Sequence, residues 1–193
     1  MTRFSTVCPT SPIISDKDKT MKEKLLKKID KAADKLCSLN VFFTHDKCYY
    51  NLIPLKRSEK AAIAAKDNDF QLDGYLIFPL SSVENISSKG KKYNSIMRAE
   101  GICSSLTIPD IDISSMKKVC RHFEKSGEYI SVETDDSYYI GRITAVSGRH
   151  IFFEWFDAYG RLYEPVKIRT DDIRLITYRS RYVEVFSKHI EKR

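Results

Sequence analysis

Residues 129–176 constrain what this chain can fold into more than any other stretch. Ile130-Ser131-Val132-Glu133-Thr134 alternates apolar and polar, and Asp135-Asp136-Ser137 turns it. Tyr138 to Val146, Ile151 to Phe156, Leu162 to Ile168 and Ile173 to Tyr178 follow as further short β-runs. They are separated by Ser147-Gly148, by Asp157-Ala158-Tyr159-Gly160 and by polar residues. Five short strands at this spacing predict a small antiparallel barrel or meander.

The preceding residues repeat the pattern. After a loose arm over 1–14, Met21, Leu25, Ile29, Ala32 and Leu36 recur at helical spacing, with Ser15 or Asp16 as cap and eight lysines between Lys17 and Lys35 on the other faces. The strand-like runs Val41–Thr44, Cys48–Leu55, Ala61–Ala65, Tyr75–Leu80 and Val83–Ser87 come next. A polar connector over 99–112 leads to a second amphipathic helix, marked by Met116, Val119, Cys120 and Phe123, with Gly127 at its end. The expected organisation is therefore an arm (1–14), a helix plus small barrel (15–98), a connector (99–112), and a second helix plus small barrel with a C-terminal tail (113–193). The class is α+β, mainly β.

The halves also correspond residue by residue. Asp46-Lys47-Cys48-Tyr49-Tyr50 sits against Asp135-Asp136-Ser137-Tyr138-Tyr139 at an offset of 89, and Lys92-Tyr93 against Arg181-Tyr182 at the same offset. A near-constant offset along a whole unit is the mark of tandem duplication. A leading helix and five strands, with Gly141-Arg142-Ile143-Thr144-Ala145-Val146-Ser147-Gly148 as a bent second strand and Ile173-Arg174-Leu175-Ile176 as a closing one, resembles the Sm-like small barrel of bacterial Hfq and the eukaryotic Sm proteins. The same strand order resembles SH3-like barrels. The resemblance implies a binding module for nucleic acid or protein rather than an enzyme.

Charge narrows the partner. The net charge is +7, and residues 1–99 carry all of it: 18 Lys and Arg against 11 Asp and Glu, while residues 100–193 carry 15 of each. A basic half suits a polyanion, RNA or DNA. Lys89, Lys91 and Lys92, and in the second copy Arg179 and Arg181, are the candidate phosphate contacts, each set beside a tyrosine. Within the pairs Tyr49-Tyr50 and Tyr138-Tyr139, alternation sends one ring inward and one outward. Tyr49 and Tyr138 are the candidates for stacking on bases. Half-buried strand packing and edge protection are the competing readings of these residues.

Phe152-Phe153-Glu154-Trp155-Phe156 is the most apolar run, with Phe153 and Trp155 on one side. It supports a different function, a protein-interaction adaptor or inhibitor in a bacterial regulatory or defence setting. Strand edges also offer a route to homo-oligomers. Catalysis finds no footing: there is no GxSxG, HExxH or phosphate-cradling glycine loop, and the four histidines are scattered. No cofactor is expected, and His45, Cys48 and Cys37 match no common zinc spacing. The five cysteines, an odd number without a CxxC, and the lack of an apolar N-terminal core or a membrane-length apolar run, place the chain in the cytoplasm without a membrane partner.

Overall fold

A computed structural model describes residues 16–190, with side chains from residue 23 onward. The N-terminal arm lies outside the described residues. The elements run α1 (Asp16–Lys35), β1 (Leu39–Phe43), β2 (Tyr49–Arg57), β3 (Ala61–Asn68), β4 (Gln71–Pro79), β5 (Val83–Ser88) and α2 (Lys91–Ala99), then α3 (Met116–Ser126), β6 (Ile130–Glu133), β7 (Tyr138–Ser147), β8 (His150–Phe156), β9 (Leu162–Arg169), β10 (Leu175–Tyr178) and α4 (Arg181–Phe186).

The expected pair of closed barrels is not formed. All ten strands join one antiparallel sheet in the order β5-β1-β2-β3-β4-β10-β6-β7-β8-β9. The reason is the β4 edge. It pairs with β10 (Ile77 opposite Ile176, Tyr75 opposite Tyr178) and carries the sheet onward instead of leaving the first half to close on itself. The central strands are apolar on both faces, as strands covered on both sides must be. Ala62, Ala64, Leu76, Phe78 and Leu175 face one way, with Ile29 and Ala32 of α1. Ile63, Ala65, Ile77 and Ile176 face the other, with Val119, Cys120 and Phe123 of α3. Burial pushes the Cys120 thiol up to about 12, as expected of a cysteine that packs as a small hydrophobe.

The halves match in order and in detail. Each runs fifth, first, second, third, fourth strand across the sheet. Leu52 lies opposite Lys66, and 89 residues later Gly141 lies opposite Trp155. The β2–β3 register shifts between Pro54 and Lys56, the β7–β8 register between Ile143 and Ala145, again 89 apart. Such bulges bend and twist a strand pair. The basic-tyrosine segments lead into helices: α2 and α4 each follow the fifth strand of their half.

The connector does not hang free. Ile111 and Ile113 are buried in the core shared by β2, β3, α3 and β6, Lys56 Nζ donates to the Pro109 carbonyl at 3.3 Å, and Ser58 Oγ donates to the Ile113 carbonyl at 2.8 Å. With one core spanning both halves, unfolding is expected to be a single transition. The check uses urea: Trp155 fluorescence, which reports the second half, and far-UV circular dichroism, which reports both, should share a midpoint. Separated midpoints would mean the halves melt independently.

Candidate polyanion groove

The basic groove is assembled by a buried polar network that fixes α2. Asp67, 2% exposed, accepts from Ser38 Oγ at 2.6 Å, from the Tyr93 hydroxyl at 3.0 Å and from the Phe70 backbone N–H at 3.0 Å. A buried carboxylate is tolerable only with such partners. Asn94 Oδ1 accepts from the Ser38 backbone N–H at 2.7 Å, and Asn94 Nδ2 donates back to the Ser38 carbonyl at 3.3 Å. Tyr93 stacks on Phe70 with ring centroids 4.2 Å apart. The buried flank of α2 (Tyr93, Asn94, Met97) is thereby docked on the end of α1 and the β3–β4 turn. Lys91, Lys92, Ser95 and Arg98 remain on its open flank.

On α1, Leu25, Leu26, Ile29 and Ala32 pack onto the sheet. This presents Lys28, Lys31 and Lys35, at helical spacing, towards α2. The two helices and the edge strand β5 line an open groove of about 770 Å³, within the usual range for ligand clefts. Its rim carries Lys28, Lys31, Lys35, Lys91, Lys92 and Arg98, and no acidic residue lines it. Its floor is Ala32, Cys37, Leu39 and Ile86. Among the described residues, none of the six cations has a carboxylate within 4 Å. Lys28 Nζ instead donates to the Ile86 carbonyl at 2.9 Å, and Asn85 Oδ1 accepts the Ile86 backbone N–H at 2.8 Å, so the middle of β5 is hydrogen-bonded by side chains. Arg98 Nη1 lies 3.7 Å from Cys37 Sγ. The first turn of α2 adds uncapped backbone N–H groups and the positive end of the helix dipole.

By contrast, a second cleft of about 640 Å³, where the turns of both halves meet α3, mixes Glu59 and Asp171 with Lys60, Lys117 and Arg149. The positive field is concentrated at α1 and α2.

The sequence candidates fall unevenly on this geometry. Lys91 and Lys92 line the groove. Lys89 does not: its ammonium is 3.0 Å from Asp69, 3.9 Å from Asp67 and 4.1 Å from the Tyr93 ring centroid, so it helps to anchor α2. Arg179 pairs with Glu128 at 3.1 Å, and Arg181 opens α4, where its backbone N–H is held by Asp73 at 2.8 Å; neither lines the groove. Tyr49 and Tyr138 are the outward members of their pairs, 51% and 57% exposed, but they too lie off the groove. Phe153 is fully buried and is not available to a partner; its side of β8 faces the core. Trp155 is half-buried and stacks on Tyr163 with centroids 4.3 Å apart. Among the described residues there is no cluster of three or more metal-ligating side chains, and no helix is long and apolar enough to cross a membrane.

Lys28, Lys31, Lys35 and Arg98 are the groove residues that sequence reasoning missed. Sequence alone places these lysines on the faces of α1 away from its apolar stripe. The available signal was their i, i+3, i+7 spacing beside the apolar stripe. No known protein family matches this chain, and no curated protein or solved structure matches it either.

Proposed function

We propose that this protein is a non-enzymatic, cytoplasmic nucleic-acid-binding regulator that holds a phosphate backbone along the α1–α2 groove. The observation that carries the reading is the set of six cations with no acid among the groove residues. Lys28, Lys31 and Lys35 contact phosphates from one wall, Lys91, Lys92 and Arg98 from the other. The matched strand order and register of the halves support two tandem units of Sm-like or SH3-like type opened into a common sheet. That resemblance favours RNA over DNA. The groove has no aromatic lining, so recognition rests on the backbone and is tolerant of sequence.

The test is fluorescence anisotropy with labelled single-stranded RNA, single-stranded DNA and duplex between about 50 and 200 mM salt. Six neutralised phosphates give a log–log slope near −4 for a single strand, from about −0.7 per contact. No binding at low salt, or a flat slope, sinks the reading. A second reading, a protein adaptor, then rests on the aromatic rim of the β8–β9 hairpin, where Tyr159 is 79% and Tyr163 37% exposed beside Trp155.

A further inference from the structure

The turn between β1 and β2 carries a histidine that the groove does not use. The His45 side chain is 5% exposed, and neither ring nitrogen has a hydrogen-bond partner. Buried polar nitrogens are nearly always satisfied, so a pair of orphans calls for a cause. Its Nε2 lies 3.7 Å from Oε2 of Glu133, at the end of β6 in the other half. The turn of one half and a strand of the other therefore meet at these two side chains.

The surrounding charges decide how the contact behaves. His45 faces Asp46 of its own turn, Asp135 of the β6–β7 turn, and Arg174 ahead of β10. Glu133 faces Asp46 and Lys66 of β3, with Tyr50 and Tyr138 alongside. The cations are engaged elsewhere: Arg174 makes a two-point contact with Asp135 at 2.8 and 2.7 Å, and Lys66 is 3.3 Å from Asp73. The Tyr50 hydroxyl donates to Asp46 at 2.9 Å. An ionised Glu133 thus adds a buried carboxylate beside Asp46, opposite a neutral imidazole.

We propose that His45 and Glu133 share one proton, and that this proton latches the β1–β2 turn of the first half onto β6 of the second. The proton comes from solvent and converts the Glu133 carboxylate to a carboxyl, whose O–H donates to an imidazole nitrogen that now lacks a partner. Burial, reinforced by Asp46 and opposed by Lys66, raises Glu133 to about 7. Burial holds His45 below its ordinary value, against Asp46 and Asp135. The signs follow. A raised carboxyl contributes stability that is complete below its unfolded value and lost as pH rises through about 7. A lowered histidine contributes stability present above its unfolded value and lost as pH falls through its folded one. The latch is tightest in mild acid and slackens in mild alkali.

Hydrogen exchange on the full chain reads this directly. After correction for intrinsic rates, amides of Phe43, Tyr50 and Val132 should open together a few-fold more often at pH 8 than at pH 6: the Glu133 proton alone accounts for about tenfold, and the lowered His45 opposes it in this window. Glu133→Gln should abolish the loosening towards pH 8, and His45→Gln should remove the opposing histidine contribution. If either variant folds poorly, carbon-13 NMR of the wild type suffices. A Glu133 carboxyl midpoint near 7, with a His45 ring that stays neutral at pH 6, supports the latch. A Glu133 midpoint near 4.5, a His45 that titrates near 6.5, or pH-independent exchange at these amides overturns it.

Discussion

Reversal of Lys31, Lys91 and Lys92 to glutamate is expected to weaken single-stranded RNA binding on the order of 100-fold at about 50 mM salt, and to reduce the salt slope by about 2. All three side chains are exposed and none pairs with a carboxylate among the described residues, so the melting temperature should hardly move. Reversal of Arg179 and Arg181 serves as the comparison. It alters charge by four against six, away from the groove, and should leave the slope close to wild type. Equal losses in both variants would show that net charge, not the groove, governs binding. Lys89→Glu belongs to neither class. It sets a third acid beside Asp67 and Asp69 and should loosen α2, lowering stability and affinity together.

Gly141→Ala is expected to cost at least about 3 kcal/mol, which for a chain of this size lowers the melting temperature by roughly 6–12 °C. A Cβ at Gly141 would run into the Glu154 carbonyl oxygen and stand 2.7 Å from the Trp155 Cα, both backbone atoms that no side-chain rotation can move. The contrast is Gly127→Ala at the end of α3. There φ is +65° but nothing lies within 4 Å, so only the left-handed conformation is charged, at about 1 kcal/mol. Calorimetry on the two variants separates close approach from backbone strain. Similar losses in both would mean that β7 and β8 spread apart without difficulty.

The legible parts of this fold were those written in local periodicity. Alternation located the strand runs within a few residues, and the i, i+3, i+4, i+7 stripe of Met116, Val119, Cys120 and Phe123 located α3. Local periodicity carries no information about which edges pair at long range. Tyr75 to Ile77 meet Ile176 to Tyr178 across a hundred residues, and that pairing turns two expected barrels into one sheet. The α2 segment reads in sequence as polar and basic, because Lys91, Lys92, Ser95 and Arg98 dominate its composition. Its buried flank is only Tyr93, Asn94 and Met97, and Asn94 is polar, so the apolar signal is weak. With α2 unrecognised, the α1 lysines had nothing to face. Lys89 looked like Lys91 and Lys92 in sequence; a buried aspartate 22 residues earlier, Asp67, is what separates them.

Joining β4 to β10 within a single polypeptide has a consequence for symmetry. Two separate copies of one subunit meeting along such an edge must be identical, so any charge placed on one is placed on both. On one chain the partner strand is always present at the effective concentration set by the connector, and the pairing survives dilution. The halves are then free to differ while the junction holds. The first half carries the whole +7 net charge and the second is balanced, which gives the chain a basic half and a neutral one that no self-associating single unit could possess.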